Sequence, residues 1–275
     1  MLRQAQATIA VFGVLIGAIV CAAPSRAETG VYSGEYDSEL REAERLGRLI
    51  YEKDQAAWHA SDVVVADPEI RADTRIAGWI TEPLNGNNWR VLFYGTSPDG
   101  YAPLYSVDVK NRKASRKITR YPAGAEFSEL QSAMVRARLR ALGEPFETCS
   151  RSYNTVLLPA EEEGEFYVYL LASTTQSGAV VIGGHYRMRI SADGKEVIEK
   201  KQFTGGCMVL RVGDVPPGAQ LAGIVVSNNL ALYPGETYVF LSTQHKLPIY
   251  VITTKNGITW SVDGDKIEAA KPEKN

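Results

Sequence analysis

The sequence predicts an α+β fold: two amphipathic helices packed on a mainly antiparallel sheet, with a β-rich C-terminal half. Three observations carry this. Two segments show apolar residues at three- and four-residue steps, the period of one helix face. Short runs rich in Val, Ile, Tyr and Phe fill much of the remainder, with turn formers between them. After Tyr153 the pattern is strand and turn almost throughout. With 275 residues, 45% of them apolar and 23% charged, the chain can build a full hydrophobic core. That composition excludes wholesale disorder, a multi-span membrane protein and a collagen-like fibre. A formal net charge of −2 argues against a nucleic-acid partner.

Residues 1–27 read as an export signal. Arg3 and the amino terminus form a short positive region, Ile9 to Ala23 is a 15-residue apolar run, and Pro24-Ser25-Arg26-Ala27 places small residues ahead of a cut before Glu28. The alternative is retention as an N-terminal anchor. Cys21 follows Val20 rather than a small residue, which disfavours lipidation, so it is expected to leave with the signal. The destination is the periplasm or the exterior. Trimming removes Arg3 and Arg26, shifts the net charge from −2 to −4, and leaves Cys149 and Cys207. In an oxidising compartment these two are expected to form a disulfide. Their separation of 58 positions corresponds to about 4 kcal/mol of loop-closure stabilisation.

The mature chain should open with a helix from about Asp37 to Ala60, its stripe Tyr36, Leu40, Ala43, Leu46, Ile50 and Ala57, capped by Asp37 or Ser38. Strands follow at Arg75–Thr81, Trp89–Gly95 and Leu104–Lys110, with the turn formers Asn85-Gly86 and Ser97-Pro98-Asp99-Gly100 between them. The second helix, Ala125 to Leu142, carries Phe127, Leu130, Met134, Ala137 and Ala141 on one face and stops at Gly143 and Pro145. Beyond it, Thr155–Leu158, Glu165–Ser173, His185–Ser191, Val197–Phe203 and Gln220–Ser227 read as strands. In the second of these both parities are apolar, as in a central strand. A meander of Tyr238–Thr243, Ile249–Thr254 and Ile258–Val262, the last two joined by Asn256-Gly257, closes the fold, and the tail after Ala269 should fray. The organisation expected is 28–122, a helix with a three-stranded antiparallel sheet, and 123–275, a helix with a β-rich meander. One continuous domain is the alternative.

Catalytic signatures are missing. The sequence has no GxSxG elbow, no HExxH pair, no dinucleotide fingerprint, no P-loop, no EF-hand loop and no CxxC. His59, His185 and His245 are isolated in sequence: His59 is placed at the end of the first helix, where a cation complements the helix dipole, and His245 in an exposed loop. Neither a cofactor nor a metal is expected. His185, Arg187 and Arg189 share the polar parity of one strand and, with Tyr167 and Tyr169, form a candidate ligand or partner surface. Lys110, Arg112, Lys113, Arg116, Lys117 and Arg120 form a candidate anion patch, which Arg136 and Arg140 would extend if the fold brings them near. Each group also has a plain structural reading, as a solvated strand face, a solvated hairpin and a wet helix face.

The expected function is a non-catalytic, exported envelope protein that binds an envelope component or a protein partner over a sheet face. An envelope-acting hydrolase with a non-local histidine site, at His185 or His245, is the second reading. The third is a structural or assembly factor making peripheral membrane contact through residues 110–120.

Overall fold

The computed structural model describes residues 31–98, 100–211 and 221–270, so the expected leader and residues 271–275 of the tail lie outside the described residues. In chain order the elements are α1 (Asp37–Ala66), α2 (Pro68–Arg71), β1 (Ile76–Pro83), β2 (Trp89–Ser97), β3 (Gly100–Lys110), β4 (Lys113–Ala114), β5 (Thr119–Arg120) and α3 (Glu129–Leu142). Then come β6 (Ser152–Pro159), β7 (Phe166–Ser173), β8 (Ala179–Val181), β9 (Tyr186–Ile190), β10 (Val197–Gln202) and β11 (Val209–Arg211). The chain continues with β12 (Ile224–Asn228), α4 (Glu236–His245), β13 (Ile249–Thr253), β14 (Ile258–Asp263) and β15 (Lys266–Ala269). The fold is α+β with mainly antiparallel sheets.

The first helix outruns its expected end. Ala60 and Val64 continue the apolar stripe and are buried against the first sheet, so packing outweighs the low helix propensity of Val63-Val64-Val65. Neither expected residue caps it: the helix starts at Asp37 without a side-chain cap, and the Asp37 carboxylate accepts from the Tyr32 hydroxyl. Asp67 turns the chain into α2 by accepting from the N–H groups of Glu69 and Ile70. The helix α3 starts at Glu129 rather than Ala125, because Ser128 and Gln131 form a reciprocal capping box.

The first sheet has the order β1-β2-β3-β4, with β5 also paired to β3. The expected β1–β2 turn forms at Gly86, which has φ +65°. Asn111 and Arg112, at φ +50° and +60°, make the tight turn between β3 and β4. A second sheet runs β10-β9-β7-β6, and β11 pairs with β8 apart from it. The strand β7 is central and covered on both sides, as its two apolar parities predict. Phe166, Val168 and Leu170 enter one core with α3, while Tyr167, Tyr169 and Leu171 enter another with α1 and α4. Residue 122 lies between β5 and α3, and two of the three cores draw side chains from both sides of it.

The expected strand Tyr238–Thr243 is instead the helix α4, which links the parallel pair β12 and β13 in the sheet β12-β13-β14-β15. Parallel neighbours need a crossover, and this one is buried from Glu236 through Ser242. A short helix buried all round, with its apolar residues in the single run Tyr238–Leu241, carries no 3.6-residue period, which is why it reads as a strand. Gly47 lets α1 and α4 approach: a Cβ there would lie 2.4 Å from the Cβ of Val239.

The edge strands β1 and β6 adjoin, so the first two sheets meet along a seam. Two buried cations cross it. Lys53 of α1 donates to the carbonyl oxygens of Thr81 (3.2 Å) and Leu157 (2.6 Å) and lies over the Trp89 ring. Arg138 of α3 donates to Thr155 Oγ1 (2.8 Å) and the Tyr94 hydroxyl (2.7 Å). Gly78 makes room for it, since a Cβ there would lie 2.6 Å from Arg138 Nη1.

Candidate functional site

The strand-borne surface expected from the sequence is an interior network. His185 is fully buried just before β9. Its Nδ1 accepts from the Ala172 N–H (3.1 Å), which assigns the ring proton to Nε2, facing the Val181 carbonyl at 3.0 Å. Burial pushes its pKa down to about 4, so the ring is a neutral clip between β7 and β8 and does not reach a surface. Arg187 pairs with Glu236 at 2.9 Å and stacks over the Tyr167 ring. The Tyr169 hydroxyl donates to the same carboxylate at 3.0 Å, and Lys201 lies 3.7 Å from it. Glu236 is only 2% exposed at the start of α4, where the helix dipole also favours its charge. Arg189 is drawn away to Glu165 (3.0 Å) and Glu199 (3.7 Å). The structure therefore gathers Arg187, which lies over Tyr167, and Tyr169 around a carboxylate that sequence reasoning missed, because Glu236 opens a helix of which Tyr238–Thr243 read as a strand.

The basic run is spread over the β3–β4 hairpin and the chain after it. Lys110, Arg112, Lys113, Arg116 and Lys117 are exposed and make no ion pair among the described residues, whereas Arg120 pairs with Asp67 at 2.7 Å. The two helix arginines are engaged elsewhere: Arg136 donates to the Asp193 carbonyl, and Arg140 pairs with Glu144. His59 lies in mid-helix rather than at a helix end, with Trp58 stacked on it at 5.2 Å. His245 is the last residue of α4 and half-buried, not in an exposed loop.

A cavity of about 550 Å³ opens over the seam, between α1 and α4. One face of α1 supplies Tyr51, Asp54, Gln55, Trp58 and Ser61, residues three and four apart. The seam strands β1 and β6 add Trp79 and Asn154, and α4 adds Gln244 and His245. Ser173 and Thr174 from the end of β7 lie opposite, and Leu171, Val181 and Phe240 form the apolar part of the wall. Among the described residues no Lys or Arg lines it.

Burial sets the protonation of its two titratable groups, Asp54 and His245. Burial raises Asp54 to about 6, against the opposing effect of hydrogen bonds from Asn154 and Gln55. The Asn154 amide donates to Asp54 Oδ1 at 3.2 Å. Burial also lowers the pKa of His245, whose ring makes no hydrogen bond to a hydroxyl or carboxylate among the described residues. The indole N–H of Trp79 is buried without a hydrogen-bond partner among the described residues, and Trp58 is 57% exposed at the rim. The cavity thus offers a carboxyl able to accept or donate, side-chain amides and hydroxyls, and the aromatic rings of Trp58 and Trp79. Tyr51, Asp54, Gln55 and Trp58 were legible as one helix face, but nothing in the sequence brings Trp79, Asn154 and His245 to them.

The Cys149–Cys207 disulfide is present, with Cα atoms 5.1 Å apart, and it ties the chain before β6 to the chain before β11. Among the described residues no helix is long and apolar enough to cross a membrane. No family model, curated protein or solved structure matches this chain.

Proposed function

We propose that this chain is an exported, non-catalytic binding protein of the envelope or periplasm, and that it takes a small uncharged polar ligand in the cavity over the seam. One observation carries the reading: Trp79, whose buried indole N–H has no partner among the described residues, lines the same cavity as the buried carboxyl of Asp54. Buried polar groups are normally satisfied, and a ligand that reaches Trp79 would give its N–H an acceptor while bonding Asp54 beside it. The disulfide is compatible with an oxidising compartment, and the leader pattern supplies a route to one.

The test is a panel of neutral sugars, amino acids and polyols, read by tryptophan emission and by thermal shift. Saturable binding that Trp58→Ala weakens at least tenfold supports the reading. Binding indifferent to Trp58→Ala overturns the location. Turnover of any ester, glycoside or peptide that is lost in His245→Ala would replace a binding protein with a hydrolase. Export has its own check: material recovered from outside the cytoplasm should begin at Glu28, and an intact Met1 would remove that part.

A further inference from the structure

A second cavity, of about 320 Å³, shares Tyr51 and Gln55 with the first, and the two flank that row of α1, one on the side of Asp54 and Trp58 and the other on the side of Glu52 and His59. Its character differs. Trp89 and Asn87 form part of its wall, and Arg112, in the β3–β4 turn, and His59 bring basic groups. Glu52 is the one acidic lining residue among those described. Arg112 stands over the Tyr51 ring at 6.0 Å, on the ridge between the cavities, with exposed Lys110 and Lys113 beside it in the hairpin. The basic run thus lies beside the smaller cavity, while among the described residues no Lys or Arg lines the larger one.

We infer that the two cavities together bind one acidic oligosaccharide, laid across the Tyr51 and Gln55 ridge between them. An uncharged sugar ring occupies the larger cavity against Trp58, and a carboxylate- or phosphate-bearing unit lies in the smaller one against Arg112. This rests on the reading of the larger cavity as a ligand site. Aromatic faces with planar amide and carboxyl groups suit the apolar and hydroxyl faces of a sugar ring, and a guanidinium suits an oxyanion. The shared ridge at Tyr51 and Gln55 calls for a ligand longer than one ring.

The experiment is calorimetric titration of the disulfide-bonded protein with four probes: a hyaluronan tetrasaccharide (alternating N-acetylglucosamine and glucuronate), neutral chitotetraose, N-acetylglucosamine, and N-acetylglucosamine 6-phosphate. The acidic tetrasaccharide should bind at least tenfold tighter than chitotetraose or the monosaccharide, and its affinity should fall as salt rises. Arg112→Asn removes the charge yet keeps a residue that tolerates φ +60°. It should erase most of that advantage and leave chitotetraose binding unchanged, while Trp58→Ala weakens both. A phosphate monosaccharide that outcompetes the uronate would assign the anion as phosphate. Equal binding of the acidic and neutral tetrasaccharides, or indifference to Arg112→Asn, overturns the acidic end. A monosaccharide as tight as either tetrasaccharide overturns the joint use of the two cavities but leaves the single-cavity reading standing. Failure of all four probes, with another panel compound binding through Trp58, rejects the saccharide and spares the site.

Discussion

Asp54→Asn should stabilise the protein and weaken ligand binding. The side chain keeps its shape, and the neighbouring Asn154 amide still meets an acceptor oxygen after the exchange. What goes is a charge that the folded state holds at a cost. Burial raises the carboxyl from 3.8 to about 6, so the folded protein binds this proton more tightly than the unfolded chain does. The sign follows: the wild type is favoured at low pH and loses stability as pH rises from about 3.8 through about 6. At about 1.4 kcal/mol per pH unit, the full penalty near pH 7.5 is about 3 kcal/mol, of which about 1 kcal/mol is already present at pH 4.5. Urea unfolding with the disulfide intact reads this directly. Asp54→Asn should exceed the wild type by about 3 kcal/mol at about pH 7.5, and that lead should shrink by about 2 kcal/mol at about pH 4.5. A constant difference between the two proteins, or a variant less stable at the higher pH, would refute the reasoning. A carboxylate that weakens the fold is best accounted for by what it does in the cavity.

Three other outcomes follow. Glu236→Ala leaves Arg187 and Lys201 without their buried carboxylate, and should cost about 3–5 kcal/mol in urea unfolding. His185→Gln should abolish a pH dependence of the opposite sign to that of Asp54. The wild type loses up to about 3 kcal/mol as pH falls from 6.5 to about 4 and the buried ring is forced to protonate, so the difference between the two proteins should narrow over that range. Replacing Cys149 and Cys207 together by Ser should lower stability by about 4 kcal/mol and leave far-UV circular dichroism unchanged in native buffer.

Where local chemistry decides the structure, the sequence was legible. The stripe of α1, the Asn-Gly turns, the two covered parities of β7 and the Cys149–Cys207 pair each follow from a period, a positive φ or the count of cysteines beyond residue 27. Legibility failed where burial is decided by distant elements. The helix α4 is covered all round, so its apolar run has no face to show and mimics a strand. His185 alternates with Arg187 as expected, but the end of β7 and the neighbouring β8 close over it. Arg187 reads as free until α4 delivers Glu236 to it. The cavity is the extreme case: Asp54 and Trp58 lie four residues apart on α1, while Trp79, Asn154 and His245 arrive from β1, β6 and α4.

The chain has four tryptophans, at positions 58, 79, 89 and 260, and the indole N–H of Trp260 is already held by Thr253 Oγ1 at 2.9 Å. Titrating the 15N-labelled protein with the tightest-binding neutral sugar of the panel, while following the indole N–H resonances, therefore reports on the cavity directly. Ligand in the cavity should produce a saturable shift of the Trp79 resonance as its proton gains an acceptor, a shift of Trp58, and an unmoved Trp260. Ligand binding that leaves Trp79 where it was would contradict the cavity as the binding site.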